Sequence, residues 1–325
     1  MSALKQPSEA CVRAIGLADN IGDSAMNDDK PVISQDMIAL YDRFTHVGGT
    51  RRDLVTGLAT LAGGTAAALA LLPLIEARAD AASLTSENDP KIYAERIVFR
   101  LPNGVPMVGY IARQRRYTSR LPRVMVIHEN RGLTEHIKDV TRRLALRGFV
   151  ALAPDFLTPL GETPRTGDGT TSADDIARKL IGSLDPVQTV ANGVATLKWL
   201  DDYSEGRGVP GAVGFCWGGG LVNNLAIAAG GALRSGVAYY GPAPADIALA
   251  ARVKARMTLH FAGLDERINA RGAEWAAALA AAGVKVEAFN YPGVNHAFNN
   301  DASVARFDQA AADLAWGRTL DALRI

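Results

Sequence analysis

Three consecutive glycines close behind a cysteine, in the run Gly214-Phe215-Cys216-Trp217-Gly218-Gly219-Gly220, constrain this 325-residue chain more than any other stretch. The apolar residues 211–215 predict a short buried strand, and residues 221–227 behind the glycines predict a helix. Cys216 therefore falls at a strand-to-helix turn. Flanking glycines let such a turn fold tightly enough to hold its central residue in a strained conformation above a sheet, with backbone N–H groups beside it. The pattern is that of a nucleophile elbow with a thiol where a serine hydroxyl usually stands. The positive end of the following helix favours a thiolate, the form that attacks. A second reading is open at this point: Cys216 as a small buried hydrophobe, with glycines that only bring strand and helix close, as they also do in phosphate-binding turns.

Composition narrows the partners. Lys+Arg 35 against Asp+Glu 34 leaves a net charge of +1, which gives no electrostatic case for nucleic acid or an anionic membrane surface. A small molecule is the expected partner. The two cysteines, Cys11 and Cys216, form neither a disulfide framework nor a CxxC metal or redox pair. A redox role would need a resolving cysteine, and none accompanies Cys216.

Ahead of the elbow the chain divides at about residue 82. Residues 1–82 read as a leader: a polar start with one amphipathic helix at 35–44, then Thr50-Arg51-Arg52-Asp53, then an apolar run at 54–75 and a small-residue exit. Paired arginines, a modestly apolar segment and that exit resemble a twin-arginine export signal, which implies the twin-arginine translocation machinery as a partner and a periplasmic or secreted protein. Met26 and Met37 are alternative starts, and cleavage near residues 79–82 would remove Cys11. A membrane anchor and a buried helix of a cytoplasmic protein are the competing readings, since the run is long enough to span.

Residues 83–325 alternate short β-rich runs with helical segments, the pattern of a layered α/β sheet. Runs 95–101 and 107–112 flank Pro102-Asn103-Gly104 and predict a hairpin. Val124-Met125-Val126-Ile127 predicts a strand buried on both faces, followed by a helix at 136–147 and a strand at 149–153. The Pro/Gly/Thr-rich residues 158–172 predict a surface loop beside the site. A helix at 186–200 leads to the strand before Cys216. Further strands are predicted at 236–240, 258–262 and 284–291, with helices at 272–282 and 302–323.

A thiol nucleophile needs a base within hydrogen-bond reach, and the base needs a group that fixes its tautomer. Asp265 follows the strand at 258–262 and His296 follows the strand at 284–291. Singly they read as a loop-capping carboxylate and a turn histidine. Together with Cys216 they stand at strand ends in the order nucleophile, acid, histidine, which is the chain order of α/β-hydrolase triads. Glu129, at the end of the strand 124–127, is a partly desolvated carboxylate able to swing between a thiol and a neighbouring cation; a plain ion pair with Arg131 is its alternative. His128 and His136 lack the HExxH spacing of a zinc site, and His260 reads as a core or rim histidine.

Gly-Phe-Cys-Trp-Gly-Gly, Ala-Gly-Leu-Asp and Asn-His-Ala-Phe, with His-Glu-Asn-Arg-Gly-Leu at 128–133 and Ala-Pro-Asp-Phe-Leu at 153–157, resemble the dienelactone hydrolase (carboxymethylenebutenolidase) family from residue 93 to the C-terminus. The resemblance implies an α/β-hydrolase fold, with a mostly parallel central sheet and helices on both faces. It implies a Cys216-His296-Asp265 triad acting on cyclic enol esters, and Glu129 in the position of a glutamate that contacts the resting thiol and helps form the thiolate. The oxyanion would be held by the backbone N–H groups of Trp217 and Asn130. No metal or organic cofactor is implied. The family's lactone enzymes carry carboxylate-binding arginines after the Pro-Asp motif and after the catalytic histidine. Residues 158–160 and Asn299-Asn300 contain none. Arg165 is the candidate replacement, and Phe156, Trp217, Tyr239 and Phe298 are candidates for a more apolar pocket, with packing the alternative for Trp217. The expected activity is hydrolysis of a small ester or lactone by a monomer. A carboxylesterase, thioesterase or acyl transferase of larger substrates, and a binding protein with a silent site, are the rivals.

Overall fold

In the computed structural model, which describes residues 33–76, 84–168 and 171–324, three helices precede the sheet: α1 (Gln35–His46), α2 (Arg51–Ala62) and α3 (Thr65–Ile75). Then follow β1 (Ile92–Arg100), β2 (Pro106–Gln114), β3 (Leu121–Ile127), α4 (Glu135–Leu146), β4 (Val150–Pro154), α5 (Ala173–Ser183), α6 (Pro186–Asp201), β5 (Gly206–Phe215) and α7 (Trp217–Ala228). The chain closes with β6 (Ser235–Tyr239), β7 (Arg256–Ala262), α8 (Glu266–Ala281), β8 (Val286–Tyr291) and α9 (Gln309–Arg324). The strands form one eight-stranded sheet in the order β1-β2-β4-β3-β5-β6-β7-β8. The predicted hairpin is β1–β2, β2 runs antiparallel to β4, and neighbours from β4 to β8 are parallel.

The unbroken apolar run in β3 follows from cover on both faces. Val124 and Val126 pack in one buried cluster with Ile137, Val140 and Leu144 of α4 and Leu320 and Leu323 of α9. Met125 and Ile127 point the other way, into a cluster with Leu197 of α6, Leu225 of α7 and Trp275 of α8. Side chains alternate with period two, so a strand between two helical layers has no face to spare for polar residues. Each such side chain, fully removed from water, contributes about 1.5–3 kcal/mol.

The sheet brings three strand ends to one edge. Cys216 follows β5, Asp265 follows β7 by three residues, and His296 follows β8. The carboxyl ends of parallel strands are where ligands bind in open α/β sheets.

Helices α1–α3 belong to the same compact unit as the hydrolase sheet, Ile33–Ile325. Ser34 caps α1 by accepting from Met37 N, and Thr50 with Asp53 makes a reciprocal capping box at the start of α2. Gly63, at φ 78°, ends α2 in the left-handed conformation, and α3 leaves at 109°. The bend lets Leu54, Leu58, Leu71, Leu72 and Ile75 close on Met37 and Tyr41 of α1 in a separate buried cluster. This cap is tied to the sheet layers by polar contacts. Arg306 Nη1 donates to Asp42 Oδ1 at 3.2 Å with its guanidinium over the Tyr41 ring, Ser303 Oγ donates to Ile75 O at 3.2 Å, and Arg131 donates to the Tyr41 hydroxyl. Arg51, half of the arginine pair, bonds Glu76 and Asp175 at 3.0 and 3.4 Å, while Arg52 is exposed. Among the described residues no single helix is long and apolar enough to cross a membrane; α2 and α3 pass that test only as a bent pair. Cys11, Met26 and the cleavage stretch 79–82 lie outside the described residues.

Candidate active site

Two glycines make the Cys216 turn possible. A Cβ on Gly218 would lie 2.5 Å from the carbonyl oxygens of both Ile127 and His128, and one on Gly214 would lie 2.2 Å from Gly218 O. With both absent, α7 starts directly against β3 and β5, and Cys216 is forced to φ 55°, ψ −117°. That conformation is rare for a residue with a side chain and marks stored strain at the turn. Trp217 is the first residue of α7, so its N–H is one of the groups a helix leaves without an internal partner.

His296 and Asp265 meet beside this turn. His296 Nδ1 donates to Asp265 Oδ2 at 2.5 Å, and both side chains are buried. Asp265 is also the N-cap of α8, accepting from Ile268 N, with Arg267 3.8 Å from its Oδ2. Burial alone would raise the Asp265 carboxyl; the His296 charge and hydrogen bond, with Arg267, hold it below its ordinary value. For His296, burial acts downward, but the negative charge of Cys216, present once the thiol is ionised, and the charge and hydrogen bond of Asp265 push it up to about 10. A group raised in this way stabilises the fold fully below its unfolded value of 6.5 and loses that contribution as pH rises through about 10. The stability difference between the wild type and His296→Gln is therefore largest near pH 6 and shrinks by pH 10, as read by denaturant unfolding at both pH values; a difference that grows with pH contradicts the assignment.

The residue that touches the thiol comes from the segment read as a leader. His46 Nε2 lies 3.2 Å from Cys216 Sγ. His46 Nδ1 lies 2.8 Å from Asp42 O, and a carbonyl only accepts, so Nδ1 carries the hydrogen and Nε2 presents a lone pair to the thiol. Burial, with the charge of His296, pushes His46 well below the ordinary histidine value and keeps it neutral. The two rings meet edge to face with centroids 4.6 Å apart. Sequence reasoning found no chemistry in the first fifty residues, because His46 and Cys216 are 170 residues apart. The available signals were the Thr50–Asp53 capping box and the helical spacing of Met37 and Tyr41, which mark folded helices rather than an extended leader.

Glu129 is buried and held by Asn300, whose Nδ2 donates to Oε2 at 2.7 Å, and by the Tyr240 hydroxyl at 3.5 Å from Oε1. The resemblance puts this glutamate on the resting thiol; here the thiol's hydrogen bond goes to His46. Asn300 thus anchors Glu129 at a site where the family's lactone enzymes are expected to carry arginine. Asn130 Nδ2 donates to Thr45 O at 3.3 Å, joining the cap to the loop after β3.

A cavity of about 660 Å³ opens over Cys216, Trp217 and His296, with residues 44–51 of the cap as one wall and Asn130 at its edge. Its cations are Arg51, Arg178, Lys179 and Arg267, with Asp175 as the carboxylate among the lining. Phe156, Arg165 and Phe298 do not line it. Phe156 packs edge-on against His128 and Trp217, Phe298 is buried among Tyr239, Tyr240 and Tyr291, and Arg165 is exposed on its loop. Asp155 of the Pro-Asp motif accepts from Leu157 N, Thr163 N and the Thr163 hydroxyl, so it shapes a turn. His128 is engaged by Glu129 O and Phe156 N, His136 by Asp301, and His260 lies in the core on Tyr291, pushed down to about 3 by burial.

The family model of the dienelactone hydrolase family matches residues 107–325. The chain belongs to the dienelactone hydrolase family. Its relatives include a protein of Escherichia coli O157:H7, provisionally named a carboxymethylenebutenolidase, 31% identical over 230 residues that cover 67% of this chain and 82% of that one. A crystal structure from Klebsiella pneumoniae subsp. pneumoniae MGH 78578, provisionally described as a dienelactone hydrolase, superposes with a TM-score of 0.63 at 27% identity and covers 71% of this chain and 98% of that one. The fold is therefore that of the α/β-hydrolases, and the dienelactone hydrolase family makes this chain a hydrolase acting on ester bonds. A brefeldin A esterase, described as a bacterial homologue of human hormone-sensitive lipase, shares the fold at 16% identity and a TM-score of 0.55, covering 90% of this chain and 94% of its own. Coverage that wide extends the likeness of fold into the N-terminal helices.

Proposed function

We propose that this dienelactone hydrolase-like enzyme cleaves small esters or lactones through a covalent acyl-enzyme on Cys216, with His296 as base and Asp265 as its orienting acid. The observation that supports this reading is the 2.5 Å bond from His296 Nδ1 to Asp265, which leaves His296 Nε2 without a hydrogen-bond partner beside the strained thiol. In this reading the resting thiol proton is shared with His46 Nε2, and transfer to His296 Nε2 gives a thiolate and imidazolium. The thiolate attacks the ester carbonyl; the backbone N–H groups of Trp217 and Asn130 hold the oxyanion. Collapse expels the alkoxide or enolate, which takes the proton from His296. A water molecule, deprotonated by His296, then attacks the thioester, and the acid leaves as the thiol re-forms. Glu129, fixed by Asn300 and Tyr240, acts on the charge of the site rather than by direct contact with sulfur.

Of the cations in the cavity lining, Arg51 is paired with Glu76 and Asp175, Arg178 with Asp175, and Arg267 lies 3.8 Å from Asp265; Lys179, taking the place expected for Arg165, favours an ester or lactone that carries an acidic group. A second reading, an esterase of bulkier apolar substrates, has its own observation. A neighbouring cavity of about 730 Å³, lined by Leu184, Val187, Val190, Leu221, Ile227 and Leu249, shares Ile181, Trp217 and Pro242 with the first. Turnover of a short p-nitrophenyl ester, a long-chain ester, a neutral lactone and a carboxylate-bearing dienelactone by the full chain separates the two. Preference for the acidic lactone supports the first, preference for the long chain the second, and no turnover of any member contradicts both.

For location we propose a periplasmic or secreted protein, delivered by Arg51-Arg52 and the run 54–75 with the segment retained as the cap. Arg52 is exposed and the helices bury core residues, which supports retention. N-terminal sequencing of the cell-fractionated protein tests it: a start near residue 80 overturns retention, and a cytoplasmic fraction overturns export.

A further inference from the structure

Cys216 Sγ and one ring nitrogen each of His46 and His296 lie within 4.8 Å of one another, a group of donors that hydrolysis through a thiol and one base does not require. We propose that these three side chains form a site for a thiophilic divalent cation, Zn²⁺ in particular, whose binding blocks the enzyme reversibly. The proposal rests on Cys216 being the nucleophile.

The donor set suits the ion. Zinc takes thiolate sulfur at about 2.3 Å and imidazole nitrogen at about 2.0–2.1 Å, so donors around one tetrahedral ion stand roughly 3.3–3.6 Å apart. His46 Nε2 and Cys216 Sγ are already at 3.2 Å, and a pair at the 4.8 Å limit would close by about 1.2–1.5 Å. Both imidazoles are oriented from behind in the manner of zinc-ligating histidines: His296 Nδ1 donates to the Asp265 carboxylate, and His46 Nδ1 to the Asp42 carbonyl. Each is thereby fixed in the tautomer that leaves Nε2 free to ligate. His296 Nε2 is buried, unpartnered and faces this gap. The fourth position opens into the cavity, where water or a carboxylate completes the coordination.

Binding exchanges one thiol proton, released to solvent, for a sulfur–metal bond and two nitrogen–metal bonds, with no change in oxidation state. The lone pairs that would attack the ester and accept the thiol proton are then both committed to the ion. His46 comes from the cap, so the site exists only while residues 35–46 are seated on the hydrolase.

Titration of the full chain with Co²⁺ tests this, read by thiolate-to-cobalt charge-transfer absorption, alongside ester hydrolysis in the presence of Zn²⁺ and then of a chelator. The expected result is a band that saturates at one equivalent, is displaced by Zn²⁺ and is absent in Cys216→Ala, with hydrolysis inhibited by Zn²⁺ and restored by the chelator. His46→Gln, checked for native circular dichroism, weakens the Co²⁺ affinity by at least about tenfold. No thiolate band, or a band equally tight in His46→Gln, overturns the proposal. If metal does not bind yet hydrolysis still depends on Cys216, only the metal site fails; if hydrolysis survives in Cys216→Ala, the nucleophile assignment fails whatever the metal does.

Discussion

Asp265→Asn lowers kcat by about ten-thousandfold, on the scale seen when the acid of a nucleophile–histidine–acid triad loses its charge. The carboxylate does two things that an amide cannot do together. It accepts from His296 Nδ1 at 2.5 Å, which keeps Nε2 free as the base, and its charge stabilises the imidazolium that forms when the thiol is deprotonated. An asparagine that turns its NH₂ to Nδ1 selects the opposite tautomer, with the hydrogen on Nε2 facing the thiol. One that turns its carbonyl keeps the tautomer but not the charge. Ile268 N bonds Oδ1 and His296 Nδ1 bonds Oδ2, so the N-cap bond survives only in the first rotamer. In the second the NH₂ faces the Ile268 N–H and the cap is lost, a cost of about 1 kcal/mol that still leaves the change in melting temperature far smaller than the change in rate. Steady-state kinetics with a small p-nitrophenyl ester, set beside a thermal melt, reads both. A loss of less than about tenfold in kcat would mean that His296 works without Asp265 and that the pair is a structural contact.

Leu58→Ala loosens the cap without touching the hydrolase sheet. Leu58 is fully buried in the cluster of α1–α3, and truncating such a leucine costs about 2–5 kcal/mol. If that cost falls on cap seating, the open population rises by at least about thirtyfold. His46 then leaves Cys216 and the wall formed by residues 44–51 withdraws. The expected signature is faster alkylation of Cys216 by a bulky maleimide, with a raised KM, while the far-UV spectrum of the sheet domain is kept. Unchanged alkylation and KM would show that residues 33–76 cover a site that is already open by another route.

The elbow and the order of the three strand ends were legible because each is written locally. Glycine at 214 and 218 is required where a Cβ would strike backbone, and parallel strands buried on both faces carry unbroken apolar runs. Helix α5 falls between the predicted loop at 158–172 and the predicted helix at 186–200, where no element was expected, because the Pro/Gly/Thr-rich residues ahead of it mask a start signal: Ser172 caps it by accepting from Asp175 N. The last helix was placed too early. Around residues 301–308 the chain turns with Asn300 Oδ1 accepting from Ala302 N, Ser303 Oγ from Arg306 Nε and Asp308 Oδ1 from Ala311 N, and α9 begins at Gln309. Pocket residues were the least legible. Phe156 and Phe298 are aromatic and adjacent to motifs, yet both point into cores, whereas Arg178, Lys179 and Arg267 face the cavity from helices whose sequence marks them only as surface. His46 depends on a fold between distant segments, and only the three-dimensional packing of the cap puts it on the thiol.

The central claim, a covalent acyl group on Cys216, is tested most directly by intact-protein mass spectrometry of the full chain quenched in acid during turnover of an activated ester. The account predicts an adduct of the mass of the acyl group, mapped to the peptide that carries Cys216, lost in Cys216→Ala and accumulating in Asp265→Asn if deacylation is slowed more than acylation. Turnover by the wild type with no adduct at any quench time, together with a Cys216→Ala variant that hydrolyses the same ester at the wild-type rate, would contradict it.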